Sequence, residues 1–403
     1  MSIRRLVACL CTALGLMIAA PGAFAQKKYD AGASDTEIKI GQTMPYSGPA
    51  SAYGTLGRVQ AAYFRKINDE GGINGRKIVF TSVDDGYSPP KTVEATRRLV
   101  EQDQVLLMFA SLGTPSNTAV HAYLNAHKVP QLFVATGATK WNDPRDHPWT
   151  MGLQPNYQTE ARIYAKHILQ TKPNAKIAVL YQNDDFGKDY LKGLKDGLGD
   201  KAATMIVGEA SYEVTDPTVD SQIVQLQGSG ADVFIDITTP KFAAQAIRKA
   251  FDSGWKPVHY LNNVANYVAS VLVPAGLDKS VGLISTLYTK DPTDPTWSND
   301  PALLEWRAFM KKYYPEGDLA NALNVAGYGS AFLMVHVLKQ CGDNLTHENV
   351  MRQAASLKNY VGPTQLPGIT LNTSPTDFAP TKSMQPVRFD GKTWVPFGDP
   401  LGL

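Results

Sequence analysis

Cysteine is almost missing from this chain of 403 residues: there are three, and two of them, Cys9 and Cys11, stand near the start. A surplus of positive charge is missing as well, with 39 Lys and Arg set against 37 Asp and Glu. Nucleic acid is therefore excluded as a partner, because phosphate binding needs a basic surface. After the N-terminus no apolar run approaches the roughly 20 residues that span a bilayer. The usual marks of catalysis are also lacking. The seven His residues are scattered, with no H-E-x-x-H pair, and read as surface or capping residues. There is no P-loop, no G-x-G-x-x-G and no G-x-S-x-G. Ser88-Pro89-Pro90-Lys91 has S-x-x-K spacing, but its prolines prevent the helical turn that would join Ser to Lys. Asp84-Asp85 and Asp184-Asp185 each follow an apolar strand, where capping is the commoner role. No enzyme, metal or cofactor reading gains support.

What is present begins with a leader. Arg4 and Arg5 precede an apolar stretch from Leu6 to Ala20 and an Ala23-Phe24-Ala25 cleavage site. This pattern predicts a signal peptide over 1–25, removed after Ala25, and an exported mature protein. Leu6-Val7-Ala8-Cys9 resembles a lipoprotein box, but its apolar core follows the Cys instead of preceding it. Removal of the leader leaves 37 basic and 37 acidic residues and Cys341 as the one thiol. With no disulfide to staple it, the chain must be held by its core. About 378 residues remain, enough for two domains with separate cores.

Strand and helix patterns alternate through those residues. Strands are predicted near 38–40, 78–83, 105–110, 131–135, 176–181, 204–207, 233–237, 258–261 and 281–288. Between them lie helical stretches such as the one placing Val59, Ala62, Tyr63 and Ile67 on one face. Such alternation predicts α/β architecture with parallel sheets flanked by helices. Met151-Gly152-Leu153-Gln154-Pro155 interrupts it, which suggests a boundary between two sheets. Long helices over 301–314 and 320–339 follow, then a loop-rich tail from Gly362 with a last strand-like stretch over 385–397.

Residues 105–139 are the most informative segment. An apolar strand leads through Gly113-Thr114-Pro115 into a helix, and the next strand ends in Ala135-Thr136-Gly137-Ala138-Thr139. A parallel βαβ unit brings both strand ends and the helix start to one sheet edge. Thr114 is read as the N-cap with Pro115 at the first helical position. Free N–H groups and a hydroxyl at such a point can hold a carboxylate, or can cap a helix and nothing more.

The motifs together resemble the leucine/isoleucine/valine-binding protein family, the type 1 periplasmic solute-binding proteins of ABC importers. The likeness is carried by Ile38-Lys39-Ile40-Gly41 through Pro45-Tyr46-Ser47-Gly48-Pro49, Ala52-Tyr53-Gly54, and the stretch NDEGGINGRK from Asn68 to Lys77. Val83-Asp84-Asp85 and Asp184-Asp185-Phe186-Gly187 complete it. It implies a two-lobed fold with a three-strand hinge: 36–156 and 287–362 form the N-terminal lobe, 157–286 and 363–403 the C-terminal lobe. It also implies a periplasmic monomer that closes on a ligand and delivers it to an inner-membrane ABC permease. Residue by residue it implies ligand contacts from Tyr53, Thr114, Ala135, Thr136, Gly137, Ala138, Tyr157, Phe186, Thr238 and Asn263, with Thr139 closing the carboxylate loop and Thr239 facing ligand beside Thr238.

The departures from the family are specific. Leu261-Asn262-Asn263 offers amides where amino-acid-binding members carry an acid for the ligand ammonium, and Phe186 replaces a Tyr. Tyr87 and Gly113 stand near the positions of the family disulfide. The family suggests a branched-chain amino acid as ligand; these residues suggest a small carboxylate with an apolar or aromatic body. An amide or urea-type solute, or a sensory role, stays open, as does a charge supplied by Asp184 or Asp185.

Overall fold

The computed structural model describes residues 27–402, so the expected leader lies outside the described residues. Two parallel sheets form the frame. In the first, the strands run in the order Lys77–Asp84, Glu37–Met44, Leu107–Phe109, Gln131–Val134 and Thr150–Gly152. The second repeats this order with Ile206–Tyr212, Ile177–Gln182, Val233–Ile237, Val258–Leu261 and Ile284–Leu287. It continues with antiparallel strands Ser383–Phe389 and Trp394–Pro396. In both sheets the order reverses beside the first strand, and such a switch point opens a crevice at the carboxyl ends.

The helices cover these sheets as the periodicity requires. Helix Thr55–Asp69 buries Val59, Ala62, Tyr63 and Ile67 against the first sheet and the long helix Ala322–Cys341. Trp306 and Phe309 of helix Pro301–Tyr313 join this core, each burial worth roughly 1.5–3 kcal/mol. Cys341 ends the long helix as a buried, free thiol, and burial pushes its pKa up to about 12. The Asn68–Lys77 signature is structural. Asn68 exchanges two side-chain hydrogen bonds with the backbone of Ile78, at 2.7 and 2.8 Å. Gly72 has φ +78°, and a Cβ there would stand 2.1 Å from the Arg76 carbonyl oxygen, so the turn requires glycine. His121 departs from the surface reading. It is buried edge-on to Trp141 and stacked 4.0 Å from His147, and its pKa is lowered to about 4 by burial.

The chain passes between the sheets after Gly152, after Leu287 and before Ser383, the latter two segments pairing antiparallel. Residues 363–382 differ from the expected division. Leu371 and Phe378 pack in the first lobe's core, and Thr381 donates to the Leu153 carbonyl at 2.8 Å. The tail is too poor in apolar residues to build its own core, so it lies along the larger one. Among the described residues no helix is long and apolar enough to cross a membrane.

Candidate functional site

Between the facing sheet edges lies a cavity of about 30 Å³, room for roughly two waters when 10–15 Å³ admits one. Its lining comes from segments that follow strand carboxyl ends. Tyr53 and Leu56 follow the first strand, Tyr87 the second, Leu112, Gly113 and Thr114 the third, Ala135 and Thr136 the fourth. Gln154 and Tyr157 follow the last strand of that sheet. The opposite lobe supplies Phe186, Thr239, Val264 and Tyr267 in the same way. Five of these side chains are aromatic and none is charged.

The polar end is built on the helix Thr114–Ala126. Gly113, not Thr114, holds the cap position, with φ 102°, and no side chain caps this helix. The Thr114 hydroxyl turns instead to Thr136, with the two Oγ1 atoms 2.6 Å apart, and Tyr157 donates its hydroxyl to Thr136 at 3.2 Å. Pro115 has no N–H, and the Asn117 N–H bonds the Gly113 carbonyl at 3.0 Å. The N–H groups of Thr114 and Ser116 keep no acceptor among the described residues. Two hydroxyls and a helix start therefore converge without a charge, an arrangement that can hold an anion.

Tyr87 shapes the adjoining wall. Buried Asp85 accepts from the Tyr87 N–H at 2.9 Å and from Thr92 at 2.7 Å. Tyr87 is held at φ +61°, a conformation that costs an aromatic residue on the order of 1–3 kcal/mol and is typical of binding sites. Its ring covers Gly113 so closely that a Cβ there would stand 2.6 Å from Cε2. A ring on a glycine thus occupies the place of the family disulfide that this chain lacks.

Contacts across the cleft hold the lobes together. Tyr53 donates its hydroxyl to the Val264 carbonyl at 2.7 Å. Thr139 donates its N–H and hydroxyl to Asp189, both at 2.8 Å. Lys140 pairs with Asp185 at 2.6 Å, and that hydrogen bond lowers the Asp185 pKa. Burial raises the pKa of Tyr53 and Tyr87, and raises Tyr157 to about 12, so these hydroxyls stay protonated at neutral pH.

Of the residues expected from sequence, Tyr53, Thr114, Ala135, Thr136, Tyr157 and Phe186 meet at the cavity. Gly137 and Ala138 stand behind it: the Gly137 carbonyl accepts the Tyr157 N–H at 2.8 Å, and Ala138 belongs to the second lobe's core. Thr238 turns away to donate to Asp236 at 2.6 Å, and its neighbour Thr239 lines the cavity. Asn263 also departs from expectation. Its backbone N–H donates to Glu160 at 2.8 Å, and its side chain donates to the same carboxylate. Glu160 is wholly buried, and Tyr164 and Tyr190 donate to it as well. Desolvation raises its pKa above 4.5. Asp184 caps its own helix through the Phe186 and Gly187 N–H groups, and Asp185 is engaged by Lys140. No acid lines the cavity; Asp184 stands behind its wall, sharing the Gln182 amide with Tyr87. Tyr87, Gln154 and Tyr267 were not foreseen; only their positions after strand ends could have signalled them.

The whole chain can now be set beside known proteins. A family model described as periplasmic binding protein matches residues 37–393. The "Leu/Ile/Val-binding protein homolog 7" of Brucella abortus (strain 2308) is 25% identical over 298 residues, covering 70% of this chain and 72% of that protein. A branched-chain amino acid ABC transporter structure from Thermus thermophilus with bound valine shares the fold at TM-score 0.82 and 15% identity, covering 91% of this chain and 97% of that one. A fatty acid ABC transporter substrate-binding protein from Thermomonospora curvata does so at TM-score 0.78 and 22% identity, covering 94% and 95%.

Proposed function

This chain belongs to the periplasmic binding protein family, of the leucine/isoleucine/valine-binding type, and on that premise we propose that it captures a small carboxylate for an ABC importer. The family binds solutes and is not a class of enzymes. Its ligand carboxylate rests on the Thr114 and Thr136 hydroxyls and the free N–H groups of Thr114 and Ser116. The apolar or aromatic body enters among Tyr53, Tyr87, Tyr157, Phe186 and Tyr267 as the lobes part, because the closed cavity of about 30 Å³ admits only waters. Binding to the first lobe is followed by hinge closure, which adds the Tyr53–Val264 and Lys140–Asp185 contacts. Periplasmic location, leader cleavage and hand-over to an inner-membrane permease follow from the same reading.

One observation carries the choice of ligand class: the cavity wall holds donors and aromatic rings but no carboxylate. An enclosed ammonium would lack a counter-charge, at a cost of several kcal/mol. A second reading, a branched-chain amino acid, is favoured by the name of the Brucella relative and by the valine of the Thermus structure. A thermal-shift panel on residues 26–403 separates the two. Ligand at 100 times its Kd adds about 2.7 kcal/mol to stability. Benzoate, hydroxycinnamates or short-chain aliphatic acids are expected to raise the midpoint and leucine to leave it unchanged; the reverse pattern rejects the carboxylate-without-ammonium reading.

A further inference from the structure

Hydrogen-bonding capacity around the cavity is lopsided. The Tyr87 hydroxyl accepts from Gln182 at 3.4 Å and has no acceptor for its own proton among the described residues. Tyr267 lines the cavity too, and burial keeps its hydroxyl protonated. With the hydroxyls and N–H groups at Thr114, these are donors suited to an anion. One group is of the opposite kind. Gln154 lines the cavity, and its Oε1 is buried without any donor. The amide oxygens of Gln245, Asn262 and Gln365 are unpaired too, but of these side chains Gln154 alone lines the cavity, so its missing partner is one that a ligand can supply.

The position of Gln154 is fixed from several sides. Gln154 and Thr136 line the same cavity, and their chain neighbours pack together, since a Cβ on Gly137 would stand 2.3 Å from the Pro155 carbonyl oxygen. Leu153 accepts the Thr381 hydroxyl at 2.8 Å, and Tyr157 is tied to Gly137. The unpaired acceptor therefore stands next to the anion end, on a wall that cannot easily swing away.

We infer that the ligand carries a hydroxyl and that Gln154 reads it, so that the substrate class is a hydroxy-substituted carboxylic acid. This rests on the carboxylate reading above. An ammonium would also donate to Oε1, but no acid lines the cavity to balance it, and Glu160 is fully engaged by Tyr164, Tyr190 and Asn263. A hydroxyl both donates and accepts, so it pairs with the Gln154 amide in either orientation of the amide.

The test is calorimetry on residues 26–403 with matched pairs: benzoate against meta- and para-hydroxybenzoate, cinnamate against para-hydroxycinnamate, isocaproate against α-hydroxyisocaproate. Leucine and benzamide complete the set. At least one hydroxy acid is expected to bind about tenfold or more tightly than its parent, since a site built around a ligand hydroxyl rejects the analogue lacking it. In Gln154→Met that ratio is expected to fall to within about threefold. Acids that bind with no preference for the hydroxyl overturn this inference and leave the carboxylate reading standing. A preference that survives in Gln154→Met assigns the hydroxyl elsewhere and overturns it too. Leucine or benzamide binding while no acid binds overturns both. The wild-type comparison decides the matter even where the variant does not fold.

Discussion

Thr114 is the residue on which sequence and structure agree about place and differ about manner. Gly-Thr-Pro predicted a helix start at the sheet edge, and the helix begins there. Its hydroxyl is released from capping because Gly113 takes the cap position and Thr136 offers a closer partner. Thr114→Val is expected to cost about 1–3 kcal/mol of binding, the scale of a hydrogen bond to a charged group, measured by calorimetry. Asn263 was misjudged for a physical reason. Residue type alone does not say which way a side chain points, and buried Glu160, distant in sequence, draws this amide inward. Glu160 gives a prediction with a definite sign. Its folded pKa is raised above 4.5, so the folded state holds the proton more firmly than the unfolded chain. Stability is then lost as pH rises from about 4.5 through the folded pKa. The melting-temperature gap between the wild type and Glu160→Gln should narrow from pH 4 to pH 7; a widening gap would mean that the native carboxyl is the stronger acid.

At the scale of elements, periodicity made most strands and helices legible to within a few residues, because one buried face per element leaves a plain pattern; strand Thr150–Gly152 and helices Tyr157–Thr171 and His347–Ala354 were not expected. The βαβ unit over 105–139 and the break near 152 were legible for the same reason. The approach of the two lobes was not. It depends on pairs such as Tyr53 with Val264 and Lys140 with Asp185, which share no local pattern. The expected place of 363–382 failed similarly, since Leu371 and Phe378 are too sparse to announce which core they join. Tyr53→Phe removes the Tyr53 hydroxyl's bond across the cleft and is expected to weaken closure by about 0.5–1.5 kcal/mol, read as a lower ligand affinity. Asp185→Asn should cost less, at most about 1 kcal/mol, because both partners of that pair are partly exposed. An equal or larger loss in Asp185→Asn would reverse this ranking of the lobe contacts.

For the whole molecule, the repeated sheet order matters most. Both sheets reverse beside their first strand, so two crevices meet face to face and each strand end can contribute to one cavity. Balanced charge leaves no strong field to guide an anion from afar, and the cavity is lined by neutral groups. Affinity is therefore expected to change less than about threefold between low and moderate salt, since screening acts mainly on exposed charges. A steep salt slope, measured by calorimetry, would place basic residues in the capture step.

Cys341 has a consequence of another sort. Among the described residues it is the single cysteine, sealed in the first lobe, with its thiol held far from ionisation at neutral pH. On residues 26–403 a thiol-specific dye should therefore ignore the native molecule and mark only those copies whose first lobe has come apart. The protein carries its own clock for that opening, and a ligand that holds the lobes shut should slow it.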